Sequence, residues 1–133
     1  MGLPVELCRA LAAQNINTPT PIQKASLPVS LAGESVLLCA ETGSGKSLAF
    51  LLPLVARLKN DELALGIKAR PKRPRAIVLS PTRELAAQLL GVAKGLSRYA
   101  KFSSVGCLGG TSMAAQAKKL QQPVDLLVAT PGR

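Results

Sequence analysis

Four short apolar runs, each followed by a distinct turn motif, constrain this chain more than any other feature. They are Ser35–Ala40 (S-V-L-L-C-A), Ala76–Ser80 (A-I-V-L-S), Ser103–Leu108 (S-S-V-G-C-L) and Asp125–Ala129 (D-L-L-V-A). Between them lie apolar helical patterns from Lys46 to Leu58, from Arg83 to about Tyr99, and from a Thr111 cap through Gln121. Runs this short without polar alternation suit strands buried on both faces, and their alternation with helices predicts βαβαβαβ and an open parallel sheet flanked by helices. Two more helices are expected upstream, over 4–14 and 22–31, separated by the Pro-punctuated T-P-T-P-I-Q. With 133 residues there is room for one α/β domain, spanning 1–133.

In open parallel sheets ligands gather at the carboxyl ends of the strands. Here those ends carry E-T-G-S-G-K-S, P-T-R-E, G-G and T-P-G-R. The first belongs to a phosphate-loop pattern over 40–47, A-E-T-G-S-G-K-S. Such a loop needs Gly43 and Gly45 so that backbone N–H groups, including those of Thr42 and Ser44, turn inward around phosphate oxygens. Lys46 is placed to reach the β- and γ-phosphates, Ser47 offers a hydroxyl to Mg²⁺, and the helix that starts there points its positive end at the anion. These spacings predict nucleotide phosphate binding, with Lys46 and Ser47 as the catalytic candidates.

Charge and residue usage narrow the partners. Lys and Arg number 17 against 7 acids, a net +10, which favours a polyanion. Five of those positive residues, Lys68, Arg70, Lys72, Arg73 and Arg75, fall within a polar and basic connector over 61–75. A charge run of this kind is most simply a solvated loop, or else a nuclear-import signal. The aromatics, Phe50, Tyr99 and Phe102, are too few for a base-stacking platform, so nucleic acid would be held by its sugar-phosphate backbone. Histidine is absent, which excludes Cys/His zinc sites and His-based triads. Three widely spaced cysteines, Cys8, Cys39 and Cys107, argue against a disulfide framework and for a reducing, intracellular compartment. The apolar stretch 48–56 is about half the length a bilayer crossing needs, so no membrane is expected.

Taken in order, T-P-T-P-I-Q (18–23), A-E-T-G-S-G-K-S (40–47), P-T-R-E-L-A-A-Q (81–88), G-G (109–110) and T-P-G-R (130–133) resemble the first RecA-like domain of the DEAD-box ATP-dependent RNA helicases. The resemblance runs over nearly the whole chain. It implies a RecA-like fold, ATP and Mg²⁺ as cofactors, and RNA as a partner contacted through its backbone. By similarity, Gln23 would read the adenine edge and Thr20 would tie the Q motif, 18–23, to the phosphate loop. Pro81, Arg83, Gly109, Gly110, Thr130, Gly132 and Arg133 would lie along the RNA strand.

Several positions depart from the common family pattern. Glu41 stands where Gln is frequent, Ser47 replaces Thr, and Asn15-Ile16 replaces the G-F dipeptide before the Q motif. None of the seven acids ends an apolar strand as a Walker B pair would, so the sheet is expected to stop before the Walker B strand, and the second RecA-like lobe is missing from this chain. The fragment alone is therefore expected to be inactive as an ATPase. The basic connector resembles an insertion in some plant organellar members, which makes a chloroplast or other organelle a candidate location. Two other functions fit the residues: a non-catalytic RNA-binding adaptor built on a phosphate-loop domain, and an unrelated phosphate-loop kinase or NTPase.

Overall fold

The computed structural model describes residues 2–132. Its elements are α1 (Val5–Ala12), α2 (Pro21–Leu31), α3 (Lys46–Leu65), β1 (Ala76–Leu79), α4 (Arg83–Ala100), β2 (Ser104–Cys107), α5 (Met113–Leu120) and β3 (Leu126–Ala129). The strands form a parallel sheet in the order β1-β3-β2, with Val78 opposite Val128 and Cys107 opposite Ala129. The expected α/β architecture is present. Leu126 and Val128 are buried, and with Leu51, Val55, Leu89 and Leu96 from α3 and α4 they form one core.

The turn chemistry explains the boundaries. Pro21 opens α2 in its first turn, where a missing N–H leaves no bond unmade. Thr82 caps α4, its hydroxyl accepting from the Leu85 N–H at 3.2 Å. The α5 cap is Ser112 and not the expected Thr111: Ser112 Oγ accepts from the Ala115 N–H, while Thr111 Oγ1 donates to the Leu108 carbonyl at 3.0 Å. The helix after the phosphate loop also outruns its expected end at Leu58, reaching Leu65. Arg57–Asp61 and Lys59–Glu62 pairs, one turn apart, support the extra turns, and Gly66 in the left-handed region stops them. The first part of the supposed connector, 61–65, is thus helix.

One expected strand does not join the sheet. The segment 35–40 has no regular secondary structure and pairs with no strand, and Leu37 is 89% exposed. Strand character requires a hydrogen-bonding neighbour, and the open edge of β1 lies across a cavity of about 540 Å³ from this segment. Val36 and Leu38, Arg75 and Ala76, and Phe50, Leu54 and Leu58 of α3 all line it. Ile77 and Leu79 on β1 are 55% and 65% exposed.

At the amino-terminal end of the sheet a single residue joins all three strands. The Asp125 carbonyl accepts from the N–H groups of Arg75 (3.1 Å) and Ala76 (2.9 Å), leading into β1. Its carboxylate takes Arg75 Nη1 at 3.1 Å on one oxygen and the Ser103 N–H, at 2.9 Å, on the other. Arg75 Nη2 continues to the Leu58 carbonyl at 2.7 Å, fastening α3 to the same point.

Candidate functional site

The phosphate loop takes the backbone form its glycines permit. Gly43 and Gly45 have φ of 79° and 91°, values an L side chain rarely adopts, and Gly45 is the N-cap of α3. Gly45 is also closely packed: a Cβ there would meet Gln23 Nε2 at 2.7 Å and Thr20 Oγ1 at 2.9 Å. Ser44 Oγ donates to the Glu41 carbonyl at 2.7 Å, closing the turn. Lys46 Nζ folds back onto the loop and donates to the carbonyl oxygens of Ala40 and Glu41. Ser47, half-buried, follows it in the first turn of α3.

Gln23 anchors that loop. It is 3% exposed, its Nε2 donates to the Gly45 carbonyl at 3.1 Å, and its Oε1 accepts from the Thr20 N–H at 3.1 Å. The expected tie between the Q motif and the loop therefore runs through Gln23 itself. An amide carries two N–H donors and two acceptor lone pairs, so one of each remains for a base edge. Thr20 Oγ1 is buried beside Gly45, where Thr20 and Gln23 form the capping box that opens α2.

A second site lies at the carboxyl ends of the three strands. A groove of about 750 Å³ is lined by Pro81 and Arg83 after β1, Gly109 and Gly110 after β2, and Thr130 and Gly132 after β3. These are six of the seven positions expected to lie along a nucleic acid; the seventh, Arg133, falls outside the described residues. The glycine pair has a local reason. A Cβ at Gly109 would meet Arg83 Nε at 2.9 Å, and one at Gly110, where φ is +84°, would meet Arg83 Nη1 at 2.5 Å. The pair leaves room for the Arg83 guanidinium to lie flat against backbone. Glu84, exposed in the first turn of α4, faces the positive end of that helix.

Met113, 68% exposed at the start of α5, also lines this groove, a position that the motifs do not indicate. Its place follows from the Ser112 cap, which starts the helix one residue later than a Thr111 cap would; no spacing rule singles it out. Thr130 is more enclosed than its turn motif implies, since its N–H is held by the Cys107 carbonyl at 3.2 Å. The phosphate loop contributes nothing to this groove's lining. The two sites are separate surfaces of one domain.

A family model described as DEAD/DEAH box helicase matches residues 20–133. The chain is 45% identical over 133 residues to DEAD-box ATP-dependent RNA helicase 39 of Arabidopsis thaliana, and all of it aligns with 21% of that protein. It is 40% identical to DEAD-box ATP-dependent RNA helicase 29 of Oryza sativa subsp. indica, again over its whole length and 15% of the relative. Among solved structures, the RNA-helicase Prp28 from Chaetomium thermophilum bound to ADP superposes with a TM-score of 0.82 at 37% identity, covering 99% of this chain and 31% of that one. The chain thus spans about a fifth or less of these curated relatives. With a family model covering most of its length and its motifs grouped at the two sites, this chain belongs to the DEAD/DEAH box helicase family.

Proposed function

We propose that this chain is the nucleotide- and RNA-backbone-binding part of the first lobe of an ATP-dependent RNA helicase, in which ATP binding and hydrolysis drive local remodelling of RNA. The observation that carries this reading is the groove at the strand ends, where three separate motifs meet around Arg83. A cation laid on a glycine pair, with small residues around it, suits phosphate and sugar and offers no pocket for a base. RNA would be gripped by Arg83 and by the turns at Gly109, Gly110, Thr130 and Gly132.

ATP fits the other site. Inward-turned N–H groups around Gly43 to Gly45 and the start of α3 would hold the phosphates, with Lys46 leaving the Ala40 and Glu41 carbonyls to meet them. Gln23 would hold Gly45 in place and present its remaining donor and acceptor to the adenine edge. For Mg²⁺ the chain offers the Ser47 hydroxyl, and no cluster of three or more His, Cys, Asp or Glu exists among the described residues. Mg²⁺ suits such a site because it keeps several waters and binds through substrate phosphates, whose charge it neutralises. These residues supply binding and orientation.

The test uses the 133-residue chain with a fluorescent ADP and a short oligouridylate. Lys46→Ala should abolish nucleotide binding and spare RNA, and Arg83→Ala should do the reverse. In the full-length parent, Lys46→Ala should end RNA-stimulated ATPase activity. Nucleotide binding by the Lys46 variant at wild-type affinity would overturn the assignment.

A further inference from the structure

We infer that this domain carries a second RNA-backbone surface at the pole opposite the Arg83 groove, built by the basic connector and the end of α5. Six exposed cations make it: Lys68, Arg70, Lys72, Arg73, Lys118 and Lys119. The connector is held in place by the fold. Arg70 and Arg73 face each other across a tight turn, with the Arg73 N–H on the Arg70 carbonyl at 3.2 Å, and Pro71 pairs with Pro123. Lys72, at φ 60°, donates its N–H to the Leu120 carbonyl at 2.9 Å, which brings the connector against the last turn of α5, where Lys118 and Lys119 lie. Residues far apart in sequence thus form one positive patch.

The patch is not neutralised from within. The three ion pairs among the described residues are Arg57–Asp61, Lys59–Glu62 and Arg75–Asp125, and none includes any of the six. Part of the charge has a plain origin, since lysines at a helix C-terminus complement its dipole. That accounts for Lys118 and Lys119 but not for the turn that places Lys72 beside them. Like charges gathered on one surface repel one another, and a polyanion relieves that repulsion while releasing its own counterions.

Its location separates it from the groove. The connector leads into β1 and Gln121–Pro123 leads towards β3, whereas the groove lies beyond the other ends of those strands. A four-residue strand alone spans about 13 Å. α5 runs from Met113 in the groove to Lys118 and Lys119 over about 8 Å of helix rise, so RNA held in the groove meets this pole by following α5, and a longer RNA gains more from it than a short one. The inference rests on the RNA reading proposed above, and length dependence distinguishes the two.

The experiment measures anisotropy of labelled oligouridylates of about 6 and about 24 nucleotides against the 133-residue chain across a salt series. Three double variants are compared: Lys72→Asn with Arg73→Gln, Lys118→Gln with Lys119→Gln, and the matched control Arg9→Gln with Arg57→Gln. Each pole pair should weaken binding of the long RNA several-fold at low salt and lower the salt slope by about 1.4, at about 0.7 for each phosphate no longer neutralised. The control pair should change neither, and the short RNA should respond to Arg83→Ala more than to either pole pair. Pole pairs that behave like the control, or that weaken the short RNA as much as the long one, would overturn the second surface. So would a pole pair that loses attraction only to phosphatidylserine vesicles. A short RNA indifferent to Arg83→Ala, with the long RNA still sensitive to both pole pairs, would leave this surface standing and remove the groove instead.

Discussion

The guanidinium of Arg83 occupies the space that a side chain on Gly110 would need, with Nη1 2.5 Å from where its Cβ would stand. Gly110 is not free to change without moving Arg83. Gly110→Ala should both strain a backbone at φ +84° and push Arg83 out of the groove. The strain is expected to destabilise the domain by about 1 kcal/mol. RNA affinity should fall several-fold while ADP affinity stays at the wild-type value. Parallel anisotropy titrations with the two ligands check this, and unchanged RNA binding would mean that Arg83 has no role there.

Gln23 gives a sharper test of the nucleotide site because two backbone partners, one carbonyl and one N–H, depend on it. Gln23→Glu keeps an acceptor for the Thr20 N–H and loses the donor to the Gly45 carbonyl. Anchoring of the loop predicts that this change weakens ADP and GDP together, by about tenfold for a hydrogen-bond loss near 1.4 kcal/mol. Adenine preference alone predicts loss of ADP and indifference to GDP. Titration calorimetry with both nucleotides separates the roles.

Asp125 holds a charge that its surroundings make costly to orphan. Asp125→Ala leaves Arg75, whose side chain is 10% exposed, without its carboxylate and removes the acceptor of the Ser103 N–H. Urea denaturation should show a loss of about 3 kcal/mol, within the range for breaking a mostly buried pair. A loss below about 1 kcal/mol would place the pair with ordinary surface ion pairs.

The exposed side chains of β1 predict association. Ile77 and Leu79 lie on the strand whose outer edge has no partner among the described residues, a combination that invites pairing with another chain. Sedimentation of the 133-residue chain should show self-association that Leu79→Lys reduces. A monomer at high concentration in both proteins would contradict it.

Much of the groove is legible in the sequence because its parts are short contiguous motifs at strand ends, and parallel topology alone gathers strand ends. The same logic fails at 35–40. Its apolar run has the composition of a buried strand, but pairing depends on a neighbour that periodicity cannot reveal. Asp125 reads as the ordinary first residue of a strand; that it joins three strands and α3 emerges only when Ser103 and Arg75 arrive from 22 and 50 residues away. Gln23 is recognisable through its motif, whereas its hold on Gly45 depends on how α2 packs against the loop. Ser112 displaces Thr111 as a cap because both hydroxyls are available and only the Leu108 carbonyl decides between them.

The Asp125 junction also determines where this domain tolerates change. One carboxylate and one peptide unit tie all three strands at their amino-terminal ends, and at the other ends main-chain bonds alone do so, Ser80 N–H to the Ala129 carbonyl and Thr130 N–H to the Cys107 carbonyl. Main-chain bonds do not depend on which side chains follow β1, β2 and β3. Those side chains can be exchanged to suit a different guest while the sheet beneath keeps its pairing.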